Sequence, residues 1–118
     1  MKTIKATVGT IRVIVKEPGN EFTVRMIPNT LEYHQKLVGG YIETVSIGQG
    51  ILLVCNEEGI MQDLPKNIRV GHAIIRGTIF FCKVRGAKFA SLSDSEITEI
   101  VVRTKTHNGM SLEEINEV

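Results

Sequence analysis

Five consecutive apolar residues, Ile51-Leu52-Leu53-Val54-Cys55, lie between Gly48-Gln49-Gly50 and Asn56-Glu57-Glu58-Gly59. A run this short, with turn chemistry at both ends, suits a central strand covered on both faces better than a core helix. A second apolar stretch, Ile74-Ile75 and Ile79-Phe80-Phe81-Cys82, is interrupted by Gly77. Glycine inside such a pattern predicts a bulge or a bend rather than one straight strand. Two buried strands commit the chain to a sheet with cover on both sides. In 118 residues that leaves room for one core, so residues 1–118 read as a single domain, with 1–8 and 105–118 extended or frayed.

The flanking segments supply the rest of the sheet and its helices. Ile11 to Lys16 and Phe22 to Ile27 read as strands, and Glu17-Pro18-Gly19-Asn20 between them makes an antiparallel hairpin. Pro28 ends the second strand. Asn29 then stands in the N-cap position, with Glu32 three residues on as its capping-box partner, and Gly39-Gly40 closes a helix near 30–38. Tyr41 to Ile47 alternates as a strand. Ile60 to Val70 carries Pro65 and Asn67 and reads as an irregular crossing loop. Arg85-Gly86-Ala87-Lys88 is a hairpin turn into Phe89. Ser93 and Glu96 form a second capping box, opening a helix to about Thr104. Ser111 and Glu114 repeat that signal, which predicts a last short helix or a frayed tail. The fold class expected is α+β: a mostly antiparallel sheet with two main short helices.

Composition excludes several functions. Fourteen Lys plus Arg balance 13 Asp plus Glu, for a net charge of +1. That is neither the basic excess of an electrostatic nucleic-acid binder nor the acidity of a DNA-mimicking decoy. Cys55 and Cys82 sit inside apolar runs and read as buried free thiols. No CxxC, HxxxH or HExxH is present, and His34, His72 and His107 are dispersed, so neither a metal nor another cofactor is expected. No apolar run approaches the roughly 20 residues of a membrane span, and no apolar core follows Met1-Lys2-Thr3-Ile4-Lys5 as in a signal peptide. A cytoplasmic protein is expected.

Ile27-Pro28-Asn29-Thr30-Leu31-Glu32, followed by Val38-Gly39-Gly40-Tyr41-Ile42-Glu43, is the most distinctive stretch. Val54-Cys55-Asn56-Glu57-Glu58-Gly59, Leu64-Pro65-Lys66-Asn67 and Ile75-Arg76-Gly77-Thr78 continue the pattern. Together they resemble a family of small proteins of unknown function found in phages and low-GC Gram-positive bacteria. The resemblance covers roughly residues 11–98. It implies an α+β fold and a mobile-element origin, and no established chemistry.

One segment concentrates candidate ligand groups. Lys66, Arg69, His72 and Arg76 fall within Lys66 to Gly77, where Gly71 and Gly77 would let backbone amides approach an anion. Arg76 is the sharpest case, because Ile74, Ile75 and Ile79 flank it and an arginine among them needs a counter-charge, an interface or a ligand. Glu43, Glu57 and Glu58 are the internal counter-charges within reach. Glu57 or Glu58 with His72 would be the acid–base pair of an enzyme, but no nucleophile with a base and an orienting group is evident. Tyr33-His34 reads as a packing face of the first helix, and Tyr41, Phe80, Phe81 and Phe89 as core aromatics rather than base-stacking platforms. The expected function is therefore non-enzymatic: a homo-oligomer that binds a small anion such as a nucleotide immune signal, as an anti-defence sponge would. Oligomerisation follows from two central strands that two short helices cannot cover. The alternative is an interaction module that regulates a host enzyme by docking, through the 17–20 hairpin and the tail from Ser111 to Val118.

Overall fold

Branched residues dominate the first strand, β1 (Thr10–Lys16), and turn residues separate it from β2 (Thr23–Pro28). The computed structural model describes residues 9–106 and 112–114. After β2 come α1 (Leu31–Val38), β3 (Ile42–Ser46), β4 (Ile51–Asn56), β5 (Lys66–Val70), β6 (Ala73–Arg76), β7 (Ile79–Arg85), β8 (Lys88–Ala90), α2 (Asp94–Thr106) and β9 (Leu112–Glu114). The fold is α+β with antiparallel pairing throughout.

The large sheet runs β2-β1-β7-β4-β3, with β8 paired to the far end of β7. The small sheet runs β6-β5-β9. The two longest apolar runs occupy the middle of the large sheet, as their composition requires. Ile51, Leu53, Val54, Phe80 and Phe81 have no solvent exposure. Burying a side chain of this size contributes about 1.5–3 kcal/mol.

The large sheet has an apolar layer on each face. On one face Val13, Val15, Val54 and Phe80 pack against Val38, Leu37 and Tyr33 of α1. On the other, Ile14, Leu53 and Phe81 pack with Ile100 and Ile97 of α2 and with Ile68 and Ile75 of the small sheet. Both central strands are thus covered within one chain. The argument for a second copy from uncovered strands lapses, because it counted two helices and no second sheet.

Gly77 accounts for that second sheet. It has φ +85, and a methyl there would meet Leu64 Cδ1 at 2.7 Å. Only glycine holds that backbone cheaply. The bend it makes passes the chain from β6 in the small sheet to β7 in the large one.

Three local expectations are corrected. First, residues 66–70 are strand, not loop. Pro65 lies just before β5, and Asn67 sits where the register shifts between Lys66 and Ile68, so neither breaks the strand. Second, Asn29 is not the N-cap of α1. Its N–H bonds Gly9 O at 2.9 Å, continuing the β1–β2 ladder, and its Nδ2 donates to Phe89 O at 3.1 Å. Thr30 caps instead, extended at φ −128, its hydroxyl accepting from Tyr33 N–H. Third, residues 112–114 pair with β5 rather than forming a helix; Ser111 lies outside the described residues.

Other signals match the structure. Gly39 ends α1 in the left-handed conformation, and the N–H groups of Gly39 and Gly40 both bond Gln35 O. Ser93 and Glu96 exchange both capping-box bonds, at 2.8 and 3.2 Å. Among the described residues no helix is long and apolar enough to cross a membrane.

Candidate functional site

Asn56 at the end of β4 organises the turn that follows. It is buried, and its Oδ1 accepts the Glu58 N–H at 2.7 Å, the Asx-turn bond that bends a chain back on itself. Its Nδ2 donates to Val38 O at 3.2 Å and to Gln62 Oε1 at 3.3 Å, tying the turn to the end of α1. Thus anchored, residues 57–61 line, together with β3, β4 and β6, a cleft of about 490 Å³.

Val45, Cys55, Ile74 and Ile75 give the cleft apolar walls, while Glu43, Glu57, Glu58 and Arg76 supply charge. Ile60 and Met61, also lining residues, are 75% and 82% exposed. Two adjacent apolar side chains this exposed, at the mouth of an apolar cleft, are the usual mark of a contact surface.

Arg76 lines part of this cleft. Its Nη1 donates to Leu64 O at 2.9 Å and lies 3.7 Å from the exposed Asp63 carboxylate. Glu43, Glu57 and Glu58 share the cleft with it, and the bonds the structure defines for its guanidinium run to the turn instead. Arg76 therefore helps hold residues 63–64 against β6. Three glutamates against one arginine leave the lining charge negative.

The four expected ligand residues fall on one hairpin, β5–β6. The register sets Lys66 opposite Arg76 and Arg69 opposite Ile74. Directly opposed residues share a face, and residues two apart on a strand share it too. Lys66, Arg69 and Arg76 thus occupy the face of the hairpin opposite Ile68 and Ile75, which enter the core. His72 is exposed in the tight turn at its tip. Of the four, Arg76 lines the cleft.

The other candidates resolve as packing. His34 is buried between Phe80 and Phe89, its ring centroid 5.3 and 5.1 Å from theirs. Burial holds its pKa below the ordinary value. Its Nε2 has no hydrogen-bond partner among the described residues. Phe80 and Phe81 are core, whereas Tyr41 is 66% exposed. Both cysteines are free and buried. Burial, helped by the Glu43 charge, pushes the Cys55 thiol up to about 11, and burial alone pushes Cys82 up to about 12. Among the described residues no cluster of three or more His, Cys, Asp or Glu could hold a metal.

Sequence reasoning missed Ile60, Met61 and Asp63. The first two left a signal: apolar neighbours inside a turn, between Gly59 and Asp63, have no core to enter.

No curated protein and no solved structure matches the chain. A family model described as Domain of unknown function (DUF3846) matches residues 11–105, from the second residue of β1 to the penultimate residue of α2. With most of its length inside that match, the chain belongs to this uncharacterised family.

Proposed function

We propose that the chain is a non-enzymatic binding protein whose cleft docks a cationic, apolar-bearing segment of another protein. One observation carries this reading: Ile60 and Met61 stand exposed at the mouth of an apolar cleft that also holds Glu43, Glu57 and Glu58. Apolar anchors would enter the cleft and basic flanks would meet the carboxylates. The raised thiols speak only against a cysteine nucleophile, which needs the opposite shift.

A fluorescein-labelled Lys/Leu peptide is the probe, with its Glu/Leu counterpart as control. Anisotropy should rise with the basic peptide alone, and Ile60→Ser with Met61→Ser should weaken binding about tenfold or more. Equal binding of both peptides, or no effect of the serines, overturns the reading.

A second reading, the small-anion binder of phage type, is favoured by the shared face of Lys66 and Arg69. The negative lining of the cleft opposes an anion inside it, so the anion would lie on the hairpin's outer face. A nucleotide panel distinguishes the two. A rise in Tm that Arg69→Glu abolishes would favour the anion.

A further inference from the structure

We propose that the edge of β2, which pairs with no further strand among the described residues, pairs with the same edge of a second copy, so that the large sheet continues across a twofold axis. No residue of β2 lines the cleft, which is built from β3, β4, the turn after β4 and β6, so the inference stands apart from the docking reading.

The register decides which backbone groups face outward. In an antiparallel pair, alternate residues exchange both hydrogen bonds with the residue opposite, and the residues between them point theirs away. Asn29 N–H bonds Gly9 O, so the exchanging positions along β2 are Ile27, Arg25 and Thr23. Met26 lies between them, opposite Arg12. Arg12 confirms the parity: its N–H donates to Ser91 Oγ, and its carbonyl accepts from Leu92, both away from β2. The N–H and C=O groups of Val24 and Met26 therefore face this edge. Pro28 shares this parity, so its missing N–H costs the β1 ladder nothing.

The side chains on this edge differ from those on the other. Val24 and Met26 are 51% and 60% exposed. The β3 edge exposes Glu43, Thr44 and Ser46, polar groups that discourage pairing. β2 carries one charged residue, Arg25, which pairs with Glu17 at 3.9 Å, and one exposed hydroxyl, Thr23.

Of the registers centred on Val24, Arg25 or Met26, in the middle of the strand, one is free of conflict. Centring the twofold on Arg25 would set two guanidinium groups face to face. Centring it on Met26 would set Pro28 against Val24 and lose a donor in each copy. Centring it on Val24 pairs Val24 with Val24 of the partner subunit and Met26 with Phe22 of the partner subunit. Arg25 then faces Thr23 of the partner subunit, and Glu21 lies on the face that carries Arg25 of the partner subunit. Opposite charges on that diagonal favour this arrangement.

Sedimentation velocity of the full chain, from nanomolar to millimolar, tests the pairing. A monomer–dimer equilibrium is expected, and Val24→Lys with Met26→Lys should weaken it about tenfold or more with the monomer's far-UV spectrum unchanged. A cross-link provides the second readout. Opposed residues of a hydrogen-bonded pair have Cα atoms about 5.5 Å apart, within disulfide range. Val24→Cys should therefore give a disulfide dimer under mild oxidation, and Arg25→Cys should not. A monomer at every concentration, a dimer indifferent to the lysines, or preferential cross-linking through position 25 overturns the proposal.

Discussion

Replacing Asn67 by alanine should loosen the corner where the two sheets meet. Asn67 is fully buried at the register shift of β5. Its Nδ2 donates to Lys16 O at 2.8 Å and to Gly77 O at 2.7 Å. Lys16 ends β1 in the large sheet and Gly77 makes the bend between β6 and β7, so this one amide ties both sheets together. Alanine takes an amide donor from each of two carbonyls, at about 1–3 kcal/mol each. It also removes Oδ1, which is buried with no partner among the described residues and whose removal returns about 1–3 kcal/mol. The net loss is about 2 kcal/mol, a fall in Tm of roughly 8 °C for a domain of this size. Asn67→Asp should cost more than alanine, because it keeps the shape, loses both donors and adds a buried acid. Urea unfolding followed by far-UV circular dichroism measures both, with the slope against denaturant unchanged. A loss under about 0.5 kcal/mol for alanine, or aspartate tolerated better than alanine, would refute the role of this amide as the tie.

Thr30→Ala should cost about 0.5–2 kcal/mol and speed amide exchange at Tyr33, whereas Asn29→Ala should leave that exchange unchanged because its side chain serves Phe89. Hydrogen exchange by NMR separates the two. Hydrogen bonds from Lys83 and from the Ser93 N–H hold the Glu96 carboxyl below its ordinary value. A depressed folded value means stabilisation present above the ordinary carboxylate range and lost as pH falls through the folded one. Glu96→Gln should flatten that acid limb in a pH series of unfolding curves; an unchanged limb would show that other groups set it. Gly77→Ala should cost about 1–3 kcal/mol from the left-handed backbone, with Leu64 displaced. Thermal unfolding matching the parent would show that the bend does not require glycine.

Much of the sheet and both main helices were legible because their determinants are local. Ile51 to Cys55 can only be a covered strand, Ser93 and Glu96 find each other three residues apart, and Gly39 ends a helix wherever one precedes it. Asn29 and Thr30 show where such reasoning stops. Both are good caps, and the choice fell to Thr30 because Asn29 was claimed by Gly9 and Phe89, the latter 60 residues away. Asn67 shows the same limit. Its polarity marks a loop in the sequence, yet in the fold its amide meets Lys16 and Gly77, and a buried polar group with partners is no longer a strand breaker.

The candidate site divides the same way. That Lys66, Arg69, His72 and Arg76 form one cationic segment was plain from composition. Which face each occupies depends on the β5–β6 register, and the shift at Asn67 changes the alternation that a sequence pattern assumes. The cleft was not readable at all, because its walls come from β3, β4, the 57–63 turn and β6, which only the bend at Gly77 brings together. Composition and spacing determined the strands, the helices and the absence of an obvious nucleophile. The tertiary structure decided what covers the central strands, what holds Arg76 and which apolar side chains remain in water, because each depends on contacts between segments far apart in the chain.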